Sequence, residues 1–383
     1  MSAALLLNSE DWRQRARQRL PRFVFDFIDG GAETQACMAR NTADLAALTL
    51  LPRYLRDVSR VDAGLTLFGQ QWRAPIAAAP TGFNGLLRPG ADLDIARAAA
   101  ACGVPFIQST ASNVSLERIA AEAGGLRWLQ LYLMGGRPVA EQMLRRASAH
   151  GFSALVLTVD VPVGGLRECD LRNGMQMPFR PTFRTALDIA AHPRWAMRFA
   201  GHGQPGFANL ADPNQLAPSP ALQAALGNRE MDRSVAWDTI EWLRERWDKP
   251  LLLKGVLHPA DAARAVAAGV DGLIVSNHGG RQLDAAPSAI AALPAVLRAV
   301  DNAVPVLVDG GFRSGTDVAK ALALGARAVL IGRPLLWGIA AAGESGAYEV
   351  MQMIARGLER TMTLLGARSL DELRSNDLGI TYV

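Results

Sequence analysis

The segment Gly272-Leu273-Ile274-Val275-Ser276-Asn277-His278 shows the pattern from which the fold is predicted. Its first four residues form an apolar run without alternation, which is typical of a short strand buried on both faces of a parallel sheet. The same unit, an apolar run followed by polar residues and then an Ala- and Leu-rich stretch, recurs along the chain. Eight such runs are found, at 75–79, 104–107, 126–131, 154–159, 251–253, 272–275, 304–308 and 328–331.

The stretches between the runs predict helices, for example at 92–101, 137–150, 261–268 and 315–324. Eight β/α units in series predict an α/β protein with a closed (β/α)₈ barrel, the TIM-barrel architecture. We expect the 383 residues to form one domain, with a further helix at 234–247 before the fifth strand. Its parts are an N-terminal helical extension (1–74), the barrel (75–343) with a long insertion after strand 4 (165–232), and a C-terminal helical segment (344–383).

Composition narrows the class of protein. Half of the residues are hydrophobic and 20% are charged, which excludes wholesale disorder. The net charge of +4 is spread along the chain, which argues against a nucleic-acid partner but suits an acidic substrate or an anionic membrane surface. Three cysteines without a CxxC spacing argue against disulfides and metal sites. With neither a signal-peptide pattern nor an apolar run of roughly 18 residues, we expect a cytoplasmic protein.

The active site of a (β/α)₈ barrel lies at the carboxyl ends of its strands, so the residues there are the candidates for function. Each of the eight runs ends in polar or glycine residues. In chain order these are Pro80, Thr81 and Gly82; Ser109 and Thr110; Gln130 and Tyr132; Thr158 and Asp160; Lys254; Ser276, Asn277 and His278; Asp309, Gly310 and Gly311; and Gly332 and Arg333.

The last two strand ends predict a phosphate site. Asp309-Gly-Gly-Phe-Arg313-Ser-Gly315 follows the seventh run and opens a helix, and Gly332-Arg333 follows the eighth run. Glycine allows backbone N–H groups to approach an anion, and a helix N-terminus and a guanidinium group add positive charge. Barrels commonly hold phosphate in these two loops.

Two titratable residues at the predicted barrel mouth indicate chemistry. Lys254 directly follows an apolar run, where a lysine needs a partner. It can serve as a Schiff-base nucleophile or as a fixed cation facing a developing anion, and the residues alone leave both roles open. His278 lies at one strand end and Asp160 at another, which is the arrangement of a general base.

The stretch Ser276-Asn-His-Gly-Gly-Arg-Gln-Leu-Asp284 resembles the signature of the FMN-dependent L-2-hydroxy-acid oxidase/dehydrogenase family. Further elements resemble that family in the expected order, at 20–33, 79–82, 130–132, 157–162, 253–255 and 309–313. The stretches 80–85 and 192–195 are most similar to its mandelate-oxidising branch. The resemblance covers nearly the whole chain and implies bound FMN and oxidation of a 2-hydroxy acid to the 2-keto acid.

The resemblance also implies a role for each residue at the barrel mouth. His278 would take a proton from the substrate with Asp160 paired to it, and Tyr132 would donate to the substrate oxygen. Arg281 and Arg167 would bind the substrate carboxylate. Around the flavin would lie Lys254 at its N1/O2 edge, Pro80, Thr81, Gly82, Ser109, Gln130, Thr158 and Ser276, with Asp309, Gly310, Gly311, Arg313, Gly332 and Arg333 holding the ribityl phosphate.

One position departs from the family. Where its members carry a tyrosine in an N-terminal Val-Tyr-Asp-Tyr stretch, this chain has Phe25, followed by Phe27. We expect Phe25 to lie against the substrate carboxylate, which then lacks one hydrogen bond worth about 1.5–3 kcal/mol. Turnover is then weaker, or the substrate is larger and more apolar at that wall.

The partners expected from the resemblance are a mandelate-like acid, a quinone-type electron acceptor and other copies of the chain in a homotetramer. Residues 178–210 combine arginines with bulky apolar side chains, among them Trp195, and predict a peripheral contact with the inner face of the cell membrane. A lid over the substrate is the alternative for this segment. For the whole chain the alternatives are an oxidase that uses O₂, an aldolase built on Lys254, and a non-catalytic flavin- or phosphate-binding protein.

Overall fold

The computed structural model describes residues 5–175, 182–202, 205–210 and 231–374, together with the backbone of 380–382. Its strands are β1 (Leu48–Leu50), β2 (Leu65–Leu67), β3 (Gln70–Trp72), β4 (Ile76–Ala78), β5 (Phe106–Ser109), β6 (Arg127–Leu131), β7 (Ala154–Thr158), β8 (Leu251–Val256), β9 (Gly272–Val275), β10 (Val306–Val308), β11 (Ala328–Ile331) and β12 (Ile380–Tyr382). Strands β4 to β11 close into one parallel barrel, so the predicted fold class is confirmed. Each barrel strand overlaps its predicted apolar run, with ends that differ by up to three residues.

Barrel strands pair in chain order, and the ring closes where β11 pairs with β4 through Ile331 and Ala78. A bulge in β8 interrupts the regular register between Lys254 and Val256. The residue in the bulge is Gly255, with φ of +104°, and a Cβ there would lie only 2.6 Å from the Cβ of Asp160. The absence of a side chain at Gly255 therefore allows the end of β7 to approach the lysine of β8.

Helices surround the barrel and precede and follow it along the chain. They are α1 (Ser9–Arg19), α2 (Arg22–Asp29), α3 (Ala36–Ala47), α4 (Ala91–Cys102), α5 (Leu116–Glu122), α6 (Gly136–Ala149), α7 (Glu168–Arg172), α8 (Phe183–Ala191), α9 (Pro193–Ala200), α10 (Asp238–Arg244), α11 (Pro259–Ala267), α12 (Ala289–Val300), α13 (Gly315–Ala323), α14 (Arg333–Ala342), α15 (Glu344–Leu365) and α16 (Leu370–Arg374). Within the described ranges, no helix combines the length and the apolar composition needed to cross a bilayer.

The helix predicted at 234–247 is shorter than expected, because α10 spans only Asp238–Arg244. Asp232 Oδ1 accepts a hydrogen bond from the backbone N–H of Ser234, and Thr239 Oγ1 accepts one from the N–H of Ala236. Such side-chain bonds offer the backbone an alternative to helical pairing. They hold the preceding residues in turns and delay the start of the helix.

The two ends of the barrel are covered differently. At the amino end, the rings of Phe68 and Trp72 pack against Trp128 at the start of β6, with centroid separations of 5.9 and 5.4 Å. At the carboxyl end, the N-terminal extension reaches the loop after β9, where the N–H of Ala32 donates to Gly280 O at 2.8 Å. The predicted functional side chains therefore lie at an end that the N-terminal extension helps to build.

Candidate active site

A cavity of about 590 Å³ opens at the carboxyl ends of the barrel strands. This volume is in the usual range for cofactor and small-molecule sites. The predicted site residues that line it are Pro80, Thr81, Gly82, Ser109, Tyr132, Arg167, Lys254, His278, Arg281, Asp309, Gly310, Gly311, Arg313, Gly332 and Arg333. The barrel thus brings together side chains that are as far apart in the sequence as Pro80 and Arg333.

Four other predicted residues, Gln130, Thr158, Asp160 and Ser276, support this lining from behind or from the side. Ser109 Oγ donates to Gln130 Oε1 at 3.0 Å. Buried polar atoms without a hydrogen-bond partner among the described residues include Gln130 Nε2, Thr158 Oγ1 and Asp309 Oδ1. An unsatisfied buried polar group costs about 1–3 kcal/mol. These three residues, here called the polar wall, therefore fit a ligand with hydrogen-bond donors and acceptors along a ring edge, as an isoalloxazine has.

His278 lies between a carboxylate and a phenol. Its Nδ1 is 3.1 Å from Asp160 Oδ1, and its Nε2 is 3.3 Å from Tyr132 Oη. Burial opposes ionisation of Asp160, but the charge and the hydrogen bond of His278 hold the pKa of Asp160 below its ordinary value. With Asp160 occupying Nδ1, the nitrogen that remains to accept a proton is Nε2.

Tyr132 keeps its proton in this setting. Burial, together with the nearby charge of Asp160, raises the pKa of the Tyr132 hydroxyl above its ordinary value. The phenol is therefore a hydrogen-bond donor at neutral pH. Its position beside His278 Nε2 places a donor and a proton acceptor at one point of the cavity.

Lys254 is almost completely buried and is neutralised by a carboxylate. Its Nζ lies 3.0 Å from Asp309 Oδ2 and donates to Ser276 Oγ at 2.9 Å. Burial works against the ammonium form, but the charges of Asp309 and Asp160 raise the pKa of Lys254 above its ordinary value. A Schiff-base lysine needs a lowered pKa, whereas this environment favours a permanent cation.

The positive charge of the cavity comes mainly from Arg167, Arg281, Arg313 and Arg333. The C-terminal carbonyls of α2 orient two of these guanidinium groups. Arg281 Nη1 donates to Phe27 O at 2.9 Å and to Gly30 O at 2.8 Å, and Arg333 Nη2 donates to Gly30 O at 2.7 Å. Carbonyl groups at a helix C-terminus carry partial negative charge, which offsets the repulsion between neighbouring guanidinium groups.

The arginines are buried together without enough anions to neutralise them. Burial, reinforced by Arg333, lowers the pKa of Arg313 to about 9, and burial lowers that of Arg333 to about 10. Burial and the charges of Arg167 and Arg333 also lower the pKa of Arg281. Bound anions would reverse these shifts, and guanidinium forks match carboxylate and phosphate oxygens. The cavity therefore suits a ligand set that carries more than one anionic group.

The prediction that Phe25 contacts the substrate is wrong, because Phe25 does not line the cavity. It packs near Arg13, whose guanidinium carbon lies 6.0 Å from the Phe25 ring centroid. Phe27 lines the cavity instead, and the guanidinium carbons of Arg167 and Arg281 each lie 5.4 Å from its ring. Residues two positions apart on an α-helix point about 200° apart, so only one of the two phenylalanines can face the cavity.

The apolar part of the cavity, here called the aromatic wall, was not predicted from the sequence. It is formed by Phe23, Phe83, Trp195, Phe199 and Phe207. Trp195 packs edge-on against Phe23 with ring centroids 5.7 Å apart and lies 4.3 Å from Phe199. Phe83 joins Phe207 at 5.3 Å. The available signal was spacing, because Phe23 and Phe27 in α2, and Trp195 and Phe199 in α9, are each one helical turn apart.

The predicted membrane segment 178–210 has two unlike faces in its described part. Trp195, expected at the membrane surface, is 9% exposed and its Nε1 donates to Leu86 O at 2.9 Å, so this part of the prediction is wrong. Phe183, Leu187 and Met197 are the large apolar side chains of α8 and α9 that are exposed, at 80%, 56% and 69%. Phe179 and Arg180, also part of that prediction, lie outside the described residues.

Within the described ranges, no group of three or more His, Cys, Asp and Glu side chains is arranged to hold a metal ion. The groups described at the cavity are His278, Tyr132, the cations and the polar wall of Gln130, Thr158 and Asp309, which fits an organic ligand.

Comparisons with known proteins identify that ligand. The FMN-dependent dehydrogenase family matches residues 16–379. The (S)-mandelate dehydrogenase of Pseudomonas putida is 42% identical over 368 residues, which cover 96% of this chain and 92% of that protein. A peroxisomal (S)-2-hydroxy-acid oxidase of Oryza sativa subsp. japonica is 42% identical over 373 residues, which cover 97% and 96%.

The fold agrees with a solved structure over its full length. The crystal structure of the monotopic membrane protein (S)-mandelate dehydrogenase gives a TM-score of 0.94 at 41% identity, with 100% of both chains covered. The family resemblance drawn from the motifs around His278 is confirmed by these matches, and FMN is the cofactor. The chain belongs to the FMN-dependent dehydrogenase family.

Proposed function

We propose that this protein oxidises an L-2-hydroxy acid with an aromatic, mandelate-like side chain to the 2-keto acid and passes the electrons to a quinone-type acceptor. Family membership establishes the coarser statement, an FMN-dependent 2-hydroxy-acid dehydrogenase or oxidase. It excludes the aldolase built on Lys254 and the non-catalytic binding protein. The observation that carries the finer proposal is a single cavity that is lined both by cations with His278 and by the aromatic wall.

Two of the cations, Arg167 and Arg281, bind the substrate carboxylate. Arg167 is anchored by Asp170 at 2.7 Å, and its Nη2 is buried without a hydrogen-bond partner among the described residues. Arg281 is oriented by the end of α2. Phe27 lies between them and contributes the face of its ring, so the carboxylate is held by two guanidinium groups without a hydroxyl donor from α2.

His278 and Tyr132 provide for the substrate hydroxyl. His278 accepts a proton at Nε2, and Asp160 stabilises the resulting imidazolium through Nδ1. Tyr132 donates its hydroxyl hydrogen to the substrate oxygen. FMN, when bound, supplies the acceptor for the two electrons of the oxidation. The protein excludes water by closing the apolar side with the aromatic wall.

The polar wall and the glycine loops provide for FMN. Gln130 and Thr158 offer unpaired polar atoms to the ring edge, and Lys254 places a fixed cation beside it. The residues assigned to the ring are Pro80, Thr81, Gly82, Ser109, Gln130, Thr158, Lys254 and Ser276, and those assigned to ribityl and phosphate are Asp309, Gly310, Gly311, Arg313, Gly332 and Arg333. Burial lowers the pKa values of Arg313 and Arg333, and a phosphate beside them would raise these values again by stabilising the protonated form.

The aromatic wall favours an aryl side chain over a methyl group. L-Lactate, the alternative substrate, would leave these rings without a contact, whereas a phenyl group buries apolar area against them at about 25 cal/mol per Å². Aromatic pairs add about 0.5–1.5 kcal/mol beyond burial. The proposed order of substrate preference is therefore mandelate before lactate and glycolate.

Gly82 supports a dehydrogenase rather than an oxidase that uses O₂. A Cβ at Gly82 would lie 2.8 Å from the Cβ of Ala111, so alanine at this position requires the neighbouring loop to move. The resemblance associates glycine here with quinone-linked members and alanine with many oxidases.

A peripheral membrane location at the inner face of the cell membrane completes the proposal. It is supported by the exposed apolar side chains Phe183, Leu187 and Met197 and by the exposed arginines Arg184 and Arg194 of the same two helices. Such an amphipathic surface suits a monotopic contact with anionic lipid. Because the inner face of α9 carries Trp195 and Phe199, this contact would lie directly over the cavity.

A homotetramer is proposed from the resemblance, and an apolar patch supports a contact between copies. Leu51, Tyr54 and Leu55 are largely exposed, as is Leu364. The N–H of Arg53 donates to Leu365 O at 3.1 Å, which brings the two segments side by side. A contiguous exposed apolar patch of this kind is typical of an interface.

Anaerobic L-mandelate is expected to bleach the flavin absorbance faster than L-lactate or glycolate at equal concentration.

His278→Asn should retain yellow FMN and lower the bleaching rate by about 10²–10⁴-fold, the usual contribution of a positioned base. The matched control is His258→Asn, because His258 only caps α11. Equal bleaching by wild type and His278→Asn would contradict the assignment, and faster bleaching by glycolate would contradict the substrate class.

Phe27→Tyr is expected to raise kcat/KM for mandelate by about tenfold or more, because it restores a hydroxyl beside the arginine pair and 1.4 kcal/mol is a factor of ten. Steady-state kinetics of the purified variants measure the effect. Phe25→Tyr should leave kcat/KM unchanged, since Phe25 does not line the cavity. If Phe27→Tyr is neutral with every acid tried, the two arginines already satisfy the carboxylate.

Stopped-flow reoxidation of the reduced enzyme should be faster with a soluble quinone than with O₂ at equal concentration. Gly82→Ala, which crowds Ala111, should bring the reoxidation rates with quinone and with O₂ closer together. Oxygen that competes equally with the quinone in the wild-type enzyme would place the protein among the oxidases instead.

Phe183→Ser, Leu187→Ser and Met197→Ser combined should abolish sedimentation with vesicles that contain phosphatidylglycerol. Dye-linked turnover in solution should stay within about twofold, because exposed surface substitutions change stability little. A control with Leu5→Ser and Leu7→Ser removes exposed apolar side chains from another segment of the chain. Vesicle binding that survives the first set and not the second would place the membrane contact on another surface.

A further inference from the structure

A buried pair of amide side chains joins the N-terminal extension to the loop that carries His278. Asn41 of α3 donates through Nδ2 to Asn277 Oδ1 at 2.9 Å, and Asn277 Nδ2 donates back to Asn41 Oδ1 at 2.8 Å. The two residues are 1% and 4% exposed. Each amide is fixed in orientation, because exchanging its oxygen and nitrogen would place like groups against each other.

Asn277 uses its remaining hydrogen-bonding capacity on the turn that follows it. Its Oδ1 also accepts from the N–H of Gly280 at 3.1 Å, and its Nδ2 also donates to Pro287 O at 3.0 Å. With the two bonds to Asn41, all four positions of this amide are occupied. Loss of the Asn41 side chain therefore removes one of the two hydrogen bonds made by each of two buried atoms, Asn277 Oδ1 and Asn277 Nδ2.

The turn needs this support because three consecutive residues are left-handed. The φ angles are 59° for His278, 64° for Gly279 and 73° for Gly280. The left-handed region is unfavourable for histidine, which has a Cβ, and persists only where surrounding contacts hold it. The backbone of this turn sets where the imidazole meets Asp160 and Tyr132.

Asn41 also contacts the glycine loop after β10. A Cβ at Gly311 would lie 2.4 Å from Asn41 O, and one at Gly310 would lie 3.4 Å from Asn41 Nδ2. Both glycines have φ near +90°, at 93° for Gly310 and 91° for Gly311. The preceding residue, Asp309, binds Lys254. Asn41 thus lies beside both the turn that carries His278 and the loop assigned to ribityl and phosphate.

We infer that Asn41 is a positioning residue for the reaction, which fixes the turn that presents His278 and packs beneath the Gly310–Gly311 loop. It does not line the cavity, so it acts through Asn277 and the glycine loop, and its Oδ1 also accepts from the N–H of Ala289 at the start of α12, at 3.3 Å. The part of this inference that concerns His278 rests on the proposed function. The part that concerns the glycine loop rests only on FMN as the cofactor.

The test is Asn41→Leu in the full-length protein, because leucine has a similar size and no hydrogen-bonding groups. The limiting rate of flavin reduction by mandelate should fall by about 10- to 100-fold, the usual loss when a reacting group is displaced by an ångström or less. The mandelate concentration for half-maximal reduction should change by no more than about threefold, since Arg167 and Arg281 keep their own contacts.

A second readout does not depend on turnover. The Kd of the apoprotein for FMN, measured by quenching of flavin fluorescence, should rise by about tenfold in Asn41→Leu, because leucine replaces the side-chain amide that lies beside Gly310. Asn41→Leu combined with Asn277→Leu should reduce flavin no more slowly than the slower single variant, because the two amides act as one unit.

Asp44→Asn is the matched control. Asp44 lies three residues further along α3 and accepts a hydrogen bond from Ser288 Oγ, so its substitution weakens the attachment of α3 without touching either loop. Its reduction rate and its Kd for FMN should stay within about twofold of wild type. If Asp44→Asn and Asn41→Leu lose reduction rate and FMN affinity equally, Asn41 only helps to attach α3, and the inference is overturned.

Further outcomes of these experiments also test the role of Asn41. If Asn41→Leu does not fold, Asn41→Ser, which is smaller and does not reach Asn277, is measured in its place. A folded variant with wild-type reduction rate and wild-type Kd for FMN would overturn the inference. If no hydroxy acid bleaches even the wild-type flavin, the proposed function fails, while the Kd for FMN still decides the role of Asn41 beneath the glycine loop.

Discussion

Closure of the barrel between β11 and β4 is the constraint on which the site depends, because it directs the carboxyl ends of all eight strands to one opening. The interior is filled by apolar side chains, so polar side chains at the strand ends have only that opening to face. Lys254 and Asp309 neutralise each other there, while the arginines remain in excess. Burial makes this excess costly, and the same burial makes the cavity selective for anionic ligands.

The sequence was sufficient to predict site residues that directly follow a strand along the chain. An apolar run followed directly by Ser276 to His278 identifies both a strand and its functional end, and the barrel then brings the eight ends together. It was insufficient where function depends on the rotation of a helix about its axis. Phe25 and Phe27 are equally apolar neighbours, and only the packing of α2 selects Phe27 for the cavity. Trp195 was misplaced for the same reason, because its burial against Leu86 depends on tertiary contacts.

The segment after β7 shows how one element can serve two environments. The inner side of α9 contributes Trp195 and Phe199 to the cavity, and the outer side exposes Met197. Asp188 of α8 accepts from the N–H of Arg22, so the same segment also supports the start of α2. Because α2 carries Phe27 and orients Arg281, a change in the position of α8 reaches the groups assigned to the carboxylate.

The amide pair of Asn41 and Asn277 has a consequence for biosynthesis. Its members are 236 residues apart in the chain, so α3 emerges from the ribosome long before its partner exists. At about 5–20 residues per second, the wait is on the order of 10–50 s. Throughout that interval the side of α3 that carries Asn41 lacks the partners that bury it in the folded protein. The residues proposed for ribityl and phosphate, Asp309 to Arg333, are synthesised later still, so on that assignment the flavin site is complete only when the last two barrel strands have formed.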